Sequence, residues 1–72
     1  MIKKYFKLKR KAIALVQFII EGYEGMATVS TIDSHTAIIQ ISIIPDFISD
    51  MNAVIKDLKN KYKMEEMNSP VK

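Results

Sequence analysis

The sequence predicts an α+β fold on a ferredoxin-like split βαββα(β) plan, and three observations carry that expectation. Residues 4–9, 26–33 and 37–44 read as short strands, with alternating or β-branched apolar positions. Residues 11–24 and 45–62 are longer and repeat their apolar positions at helical spacing. A helix separates the first two strands, whereas a tight turn separates the second and third. Such a crossover helix makes the first two strands parallel and right-handed, with the third strand between them. The expected sheet therefore contains antiparallel pairs and carries two antiparallel helices on one face.

Each element has its own reason. In the first strand, Phe6 and Leu8 point one way and Tyr5, Lys7 and Lys9 the other. The first helix, expected over 11–24, has only Gln17 as a polar residue between Ala12 and Ile20. A helix apolar over most of its circumference needs cover on more than one side. Gly22 or Gly25 ends it, because glycine takes the left-handed cap conformation at little cost. The stretch MATVSTID is the second strand, with Ala27, Val29 and Thr31 on a shared face. Asp33-Ser34-His35-Thr36 is a turn, with Asp33 suited to accept hydrogen bonds from the backbone after it. In the third strand Ile39, Ile41 and Ile43 face the core, and Gln40 and Ser42 face outward.

The second helix is expected from Pro45 or Asp46 to about Tyr62, since proline suits a first turn. Phe47, Met51, Val54, Leu58 and Tyr62 form its apolar stripe, with Ile48 and Ile55 beside it. Asp57 and Lys61 are spaced to pair on its surface. Residues 1–63 make one ferredoxin-like domain. Residues 64–72 are either a short edge strand, at Met64–Met67, or a disordered tail, with disorder expected from Ser69-Pro70 onward.

Composition limits what such a chain can do. With 72 residues it forms at most one domain, and a lone core of this size supplies about 3–5 kcal/mol. No cysteine is present, so no disulfide or thiolate metal site adds to that, and association with a partner is the remaining stabiliser. A cysteine-free chain fits a cytoplasmic setting. A basic start followed by AIALVQFII also has the outline of a signal peptide. Its removal would leave too little chain for a core, and KYFKLK alternates as a strand does. The apolar run is too short for a membrane span, which needs about 20 residues.

The net charge of +3 is unevenly placed. Residues 1–11 hold five lysines and one arginine and no acid. The first helix is charged against its own dipole, with Lys9, Arg10 and Lys11 at its start and Glu21 and Glu24 at its end. Each such surface charge costs about 0.3–1 kcal/mol. The second helix is charged correctly, with Asp46 and Asp50 at its start and Lys59, Lys61 and Lys63 at its end. On the expected topology the start of the first helix neighbours the end of the second. Lys9, Arg10, Lys11, Lys59, Lys61 and Lys63 then gather at one pole, and Glu21, Glu24, Asp46 and Asp50 at the other. A basic pole with free backbone N–H groups suits a small anionic ligand or the acidic pole of another subunit.

Other constellations are poorer in chemistry. Glu21, Tyr23 and Glu24 could serve acid–base work or hold a hard cation, but more commonly such residues form a solvated helix end with the tyrosine ring packed on the core. His35 is the single histidine, and with Thr31 and Asp33 nearby it falls short of the three or four ligands a metal needs. Ser30 and Ser34 lie outside any nucleophile elbow. No enzymatic activity, cofactor or metal is expected. The open sheet face, with Tyr5, Lys7, Lys9, Thr28, Ser30, Gln40 and Ser42, has the outline of an RNA-binding sheet. Gln40 and Ser42 stand where stacking rings would be wanted, so a weak nucleic-acid-binding domain using the basic pole and this sheet face is the second choice. The methionines at 51, 64 and 67 suit gap-filling.

Glu21-Gly22-Tyr23-Glu24-Gly25, Thr31-Ile32-Asp33 and Pro45-Asp46-Phe47 together resemble a family of short bacterial domains of unknown function, similar in plan to ACT-like, ferredoxin-like modules. The resemblance spans residues 4–62. It implies a bacterial cytoplasmic protein and no reaction, and it singles out Tyr23, Glu24, Thr31 and Asp33 for test. ACT modules bind small effectors, often amino acids, at subunit interfaces. Their usual glycine-containing loop after the first strand is replaced here by Lys9-Arg10-Lys11, which argues against an amino acid. The expectation is a non-catalytic module that forms a homo-oligomer, a dimer in the simplest case, and receives a small anion. Its binding positions are Lys9, Arg10, Lys11, Tyr23, Glu24, Thr31 and Asp33.

Overall fold

In the computed structural model, which describes residues 1–70, the chain runs β1 (Ile2–Lys7), α1 (Arg10–Glu21), β2 (Ala27–Asp33), β3 (Ile38–Ile43), α2 (Ile48–Tyr62) and β4 (Glu65–Met67). The sheet order is β2-β3-β1-β4, with each neighbouring pair antiparallel. β1 and β2 both oppose β3, so they are parallel to each other, and α1 is their crossover. β3 and β4 both oppose β1, and α2 crosses between them. Two interlocked split βαβ units make this the ferredoxin-like plan.

The β1–β3 register explains the core. Phe6 lies opposite Ile39, Lys4 opposite Ile41 and Ile2 opposite Ile43. Directly opposed residues point to the same side of a sheet. Phe6, Ile39, Ile41 and Ile43 are fully buried on the side that the helices cover, where Val16 and Ile20 of α1 and Met51, Ile55 and Leu58 of α2 meet them. Each such side chain contributes about 1.5–3 kcal/mol on burial. Tyr5, Gln40 and Ser30 are opposed on the other, open side.

Several boundaries differ from the sequence expectation for physical reasons. β1 spans Ile2–Lys7 rather than 4–9, because the paired register runs from Ile43 back to Ile38 and the residue before it, Ala37, is left-handed at φ of 59°. Lys9 is therefore the residue before α1, not a strand position, and it leaves the open sheet face. α1 stops at Glu21 rather than at Glu24. Gly22 remains right-handed, and the left-handed position is Gly25, with φ of 78°. The Met26 N–H donates to the Tyr23 carbonyl at 3.0 Å, closing a turn whose third residue is Gly25. Pro45 opens a short 3-10 turn over Pro45–Phe47, and α2 proper begins at Ile48. Ile55 sits in the buried centre of the α2 stripe, whereas Phe47, Val54 and Tyr62 flank it half-buried.

The end of α2 is held by Lys63, in the left-handed region at φ of 52°. The Met64 N–H donates to the Lys59 carbonyl at 3.2 Å, and the Met64 side chain is buried. This hydrogen bond and the left-handed residue before it are those of a Schellman-type cap. They redirect the chain into β4, whose Glu66 lies opposite Phe6. The expectation of a disordered tail falls in part on residues 71–72, which lie outside the described residues.

Candidate functional site

Topology decides which charged residues share an end of the molecule. α1 starts, β2 finishes and α2 finishes at one end. At the opposite end α1 finishes and α2 starts, and there the Ile44 N–H donates to the Met26 carbonyl at 3.0 Å. At the first end, Arg10 Nη2 donates to the His35 carbonyl at 3.0 Å, and the Leu8 N–H donates to the Ala37 carbonyl at 3.2 Å.

The seven candidate residues therefore do not form one site. Lys9, Arg10 and Lys11 stand together at the first end, and Asp33 lies in the turn beside Arg10. Tyr23 and Glu24 lie in the turn after α1, at the other end. Thr31 and Asp33 are two apart, a spacing that shares a face in a regular strand, but a bulge separates them: Thr31 opposes Ile39 and Asp33 opposes Ile38. Adjacent residues of β3 point to opposite sides, so Thr31 belongs to the helix side of the sheet and Asp33 to the open side.

Asp33 does structural work. Its Oδ1 accepts from the His35 N–H at 2.9 Å and the Thr36 N–H at 3.3 Å. These bonds, that from the Thr36 backbone foremost, hold its carboxyl below the ordinary carboxylate value. The Asp33–Thr36 turn is thus the one expected, and Arg10 is anchored to it rather than held free for a ligand.

What remains at the basic end is a cleft of about 310 Å³ between the start of α1 and the end of α2, lined by Lys9, Lys11, Ala12, Leu15, Lys61, Tyr62 and Lys63. Its floor is apolar and its rim carries four ammonium groups. Lys61 pairs with Asp57 at 3.7 Å, as its spacing predicts. Among the described residues Lys9, Lys11 and Lys63 have no ion-pair partner. A second recess, on the other flank of Lys9, is lined by Arg10, Lys11 and the His35–Ala37 segment. Lys59, placed at the basic pole by the sequence, is instead turned toward β4. Glu66 takes Lys59 at 3.6 Å and Lys4 at 3.8 Å. This side-chain direction depends on β4 and could not be read from helical periodicity.

Periodicity does not single out the outer face of α1, a helix whose residues are apolar nearly all round. Lys11, Ala14, Leu15, Phe18 and Glu21 are exposed at spacings of three and four, opposite the buried Val16 and Ile20. Phe18 is 76% exposed and Leu15 47% exposed. The signal was the near-continuous apolar run, but only the placement of α2 shows which residues go uncovered.

On the open sheet face, the side chain of Gln40 donates to Ser42 Oγ at 3.0 Å. Tyr5 is the one aromatic residue among that face's register positions. Among the described residues no group of His, Cys, Asp and Glu could hold a metal ion. Among them, too, no helix is long and apolar enough to cross a membrane.

No curated protein and no solved structure matches the chain. A family model described as a domain of unknown function, DUF4911, matches residues 6–61, from the core of β1 almost to the end of α2, and the chain belongs to that family.

Proposed function

We propose that this chain is a non-catalytic, self-associating module of ACT-like plan. The observation that carries the reading is Phe18, which stands 76% exposed beside the 47% exposed Leu15 on the outer face of α1. Two large apolar side chains in contiguous helical positions, with Ala14 beside them, form an interaction surface rather than scattered exposure. A chain this small also gains most from added burial. Sedimentation equilibrium from micromolar to millimolar protein tests the proposal. Wild type should pass from monomer to dimer, and Phe18→Glu should remain monomeric. A wild-type chain that stays monomeric across that range overturns it.

A second reading is favoured by the basic cleft. Three lysines without ion-pair partners around an apolar floor of Ala12, Leu15 and Tyr62 suit a small anion that carries an apolar group, such as an aromatic or short-chain carboxylate. Titration with benzoate, with acetate as the apolar-poor control, should shift the backbone amide signals of residues 9–12 and 61–63, benzoate more strongly. Equal and unsaturable shifts with both would reject a cleft ligand. The nucleic-acid alternative has less support, because Gln40 and Ser42 occupy the centre of the sheet face.

A further inference from the structure

We infer that the partner of the α1 face is a second copy of the same helix, packed antiparallel about a two-fold axis level with Val16; this rests on the self-association reading above. The argument starts from the order of exposed residues along α1: Lys11, Ala14, Leu15, Phe18, Glu21. The order is self-complementary when reversed. With the axis level with Val16, Phe18 of each copy lies over Ala14 of the other, a large side chain against a small one. Leu15 of the two copies meet beside the axis. Lys11 of each copy then faces Glu21 of the other. These two residues are about 15 Å apart along the helix, so both pairs form at the margins of the apolar centre.

The same arrangement accounts for the reversed charging of α1. Its first turn holds no acid and its last turn no base, which is unfavourable to an isolated helix. In an antiparallel pair, the start of one helix lies beside the end of the other. Lys11 then sits near the negative end of the neighbouring helix, and Glu21 near the positive end. A parallel pair would place lysine on lysine and glutamate on glutamate. The charges along this face thus select a second copy over an unrelated partner, and an antiparallel copy over a parallel one. A single helical face buries less than a standard protein interface of about 1,600 Å², so the dimer is concentration-dependent.

Charge exchange tests the arrangement independently of association itself. Lys11→Glu and Glu21→Lys should each weaken the dimer, about fivefold or more, because every substitution makes two like-charge contacts by symmetry. The double variant Lys11→Glu/Glu21→Lys should restore dissociation to within about twofold of wild type. An equimolar mixture of the two single variants should form a heterodimer as tightly as wild type pairs with itself. If Phe18→Glu abolishes the dimer while the charge variants behave as wild type, the face is right and the antiparallel register is wrong. The register is equally wrong if the double variant is as weak as the singles. If wild type does not associate at all, the self-association reading itself fails.

Discussion

The two helices of this domain lie on the same sheet and contribute to the same core, yet their outer faces are opposites. α2 exposes Ser49, Asn52, Lys56, Asp57 and Asn60, and buries Met51, Ile55 and Leu58. α1 buries Val16 and Ile20 and exposes Ala14, Leu15 and Phe18. α2 carries Asp50 in its first turn and Lys59 and Lys61 in its last, whereas α1 has neither complement. The difference teaches that an exposed apolar patch and a reversed charge order occur together on one helix and are both missing from the other. The outer face of α2 is polar, and the apolar patch of α1 is the surface on which the proposed self-association rests. Neither helix has a side-chain N-cap, so capping does not distinguish them.

The largest effect that separates the two faces is a truncation. Met51→Ala, at a fully buried position of α2, should cost about 2–5 kcal/mol. That is much of what a core of this size supplies, so the variant should be largely unfolded in urea titrations. Phe18→Ala at dilute, monomeric concentration should lie within about 0.5 kcal/mol of wild type. Equal destabilisation by the two would show that the outer face of α1 is already covered within one chain.

The helix ends give the next effect. Lys63 closes α2 at φ of 52° with a side chain that is strained there, whereas Gly25 serves the turn after α1 at φ of 78°. Lys63→Gly should stabilise the fold by about 1 kcal/mol, raising Tm by about 4–8 °C. Gly25→Ala should lose a similar amount. Space is open around Gly25, so the loss is conformational. Unchanged melting in both would remove the backbone account of these ends.

A smaller effect sharpens the charge comparison. Lys11→Glu puts an acid at the start of α1 and should stabilise the monomer by about 0.3–1 kcal/mol at low salt. On the proposed antiparallel dimer the same substitution should weaken self-association, so stability and assembly should move in opposite directions. Thermal melts at dilute concentration, beside sedimentation of the same protein, read both. If the monomer becomes less stable, the reversed charging carries no cost within one chain.

The smallest effect concerns the turn that anchors the start of α1. The Asp33 carboxyl titrates below its ordinary value in the folded chain, so the folded state favours its ionised form. Its contribution is present above the unfolded value of about 3.9. It is lost as the pH falls through the lowered folded value. Asp33→Asn should therefore flatten the acid limb of the stability profile slightly and leave stability above about pH 5 little affected beyond a constant offset. An identical acid limb would mean that the His35 and Thr36 hydrogen bonds do not prefer the carboxylate.

Much of the fold was legible because its causes are local. Ile39, Ile41 and Ile43 alternate and are all fully buried, and Asp33 begins the turn that its side chain predicts. The candidate site was less legible. Thr31 and Asp33 are two apart in a strand and would share a face, but a bulge against β3 turns them to opposite sides. Lys59 looks like a member of the basic pole until β4 brings Glu66 within 3.6 Å of it. In both cases the deciding neighbour belongs to another element of the fold, outside the reach of a period read within one strand or helix.

By itself, the sequence determined the order of elements, the split crossover topology, the buried stripe of each strand and the reversed charges of α1. These follow from side-chain periods of two and about 3.6 residues and from chirality. The tertiary structure alone decided which part of α1 goes uncovered, which lysines rim the cleft and which is paired with Glu66. Burial and pairing depend on how elements sit across the sheet, and a helix that is apolar nearly all round carries no local mark of the side its neighbours will reach.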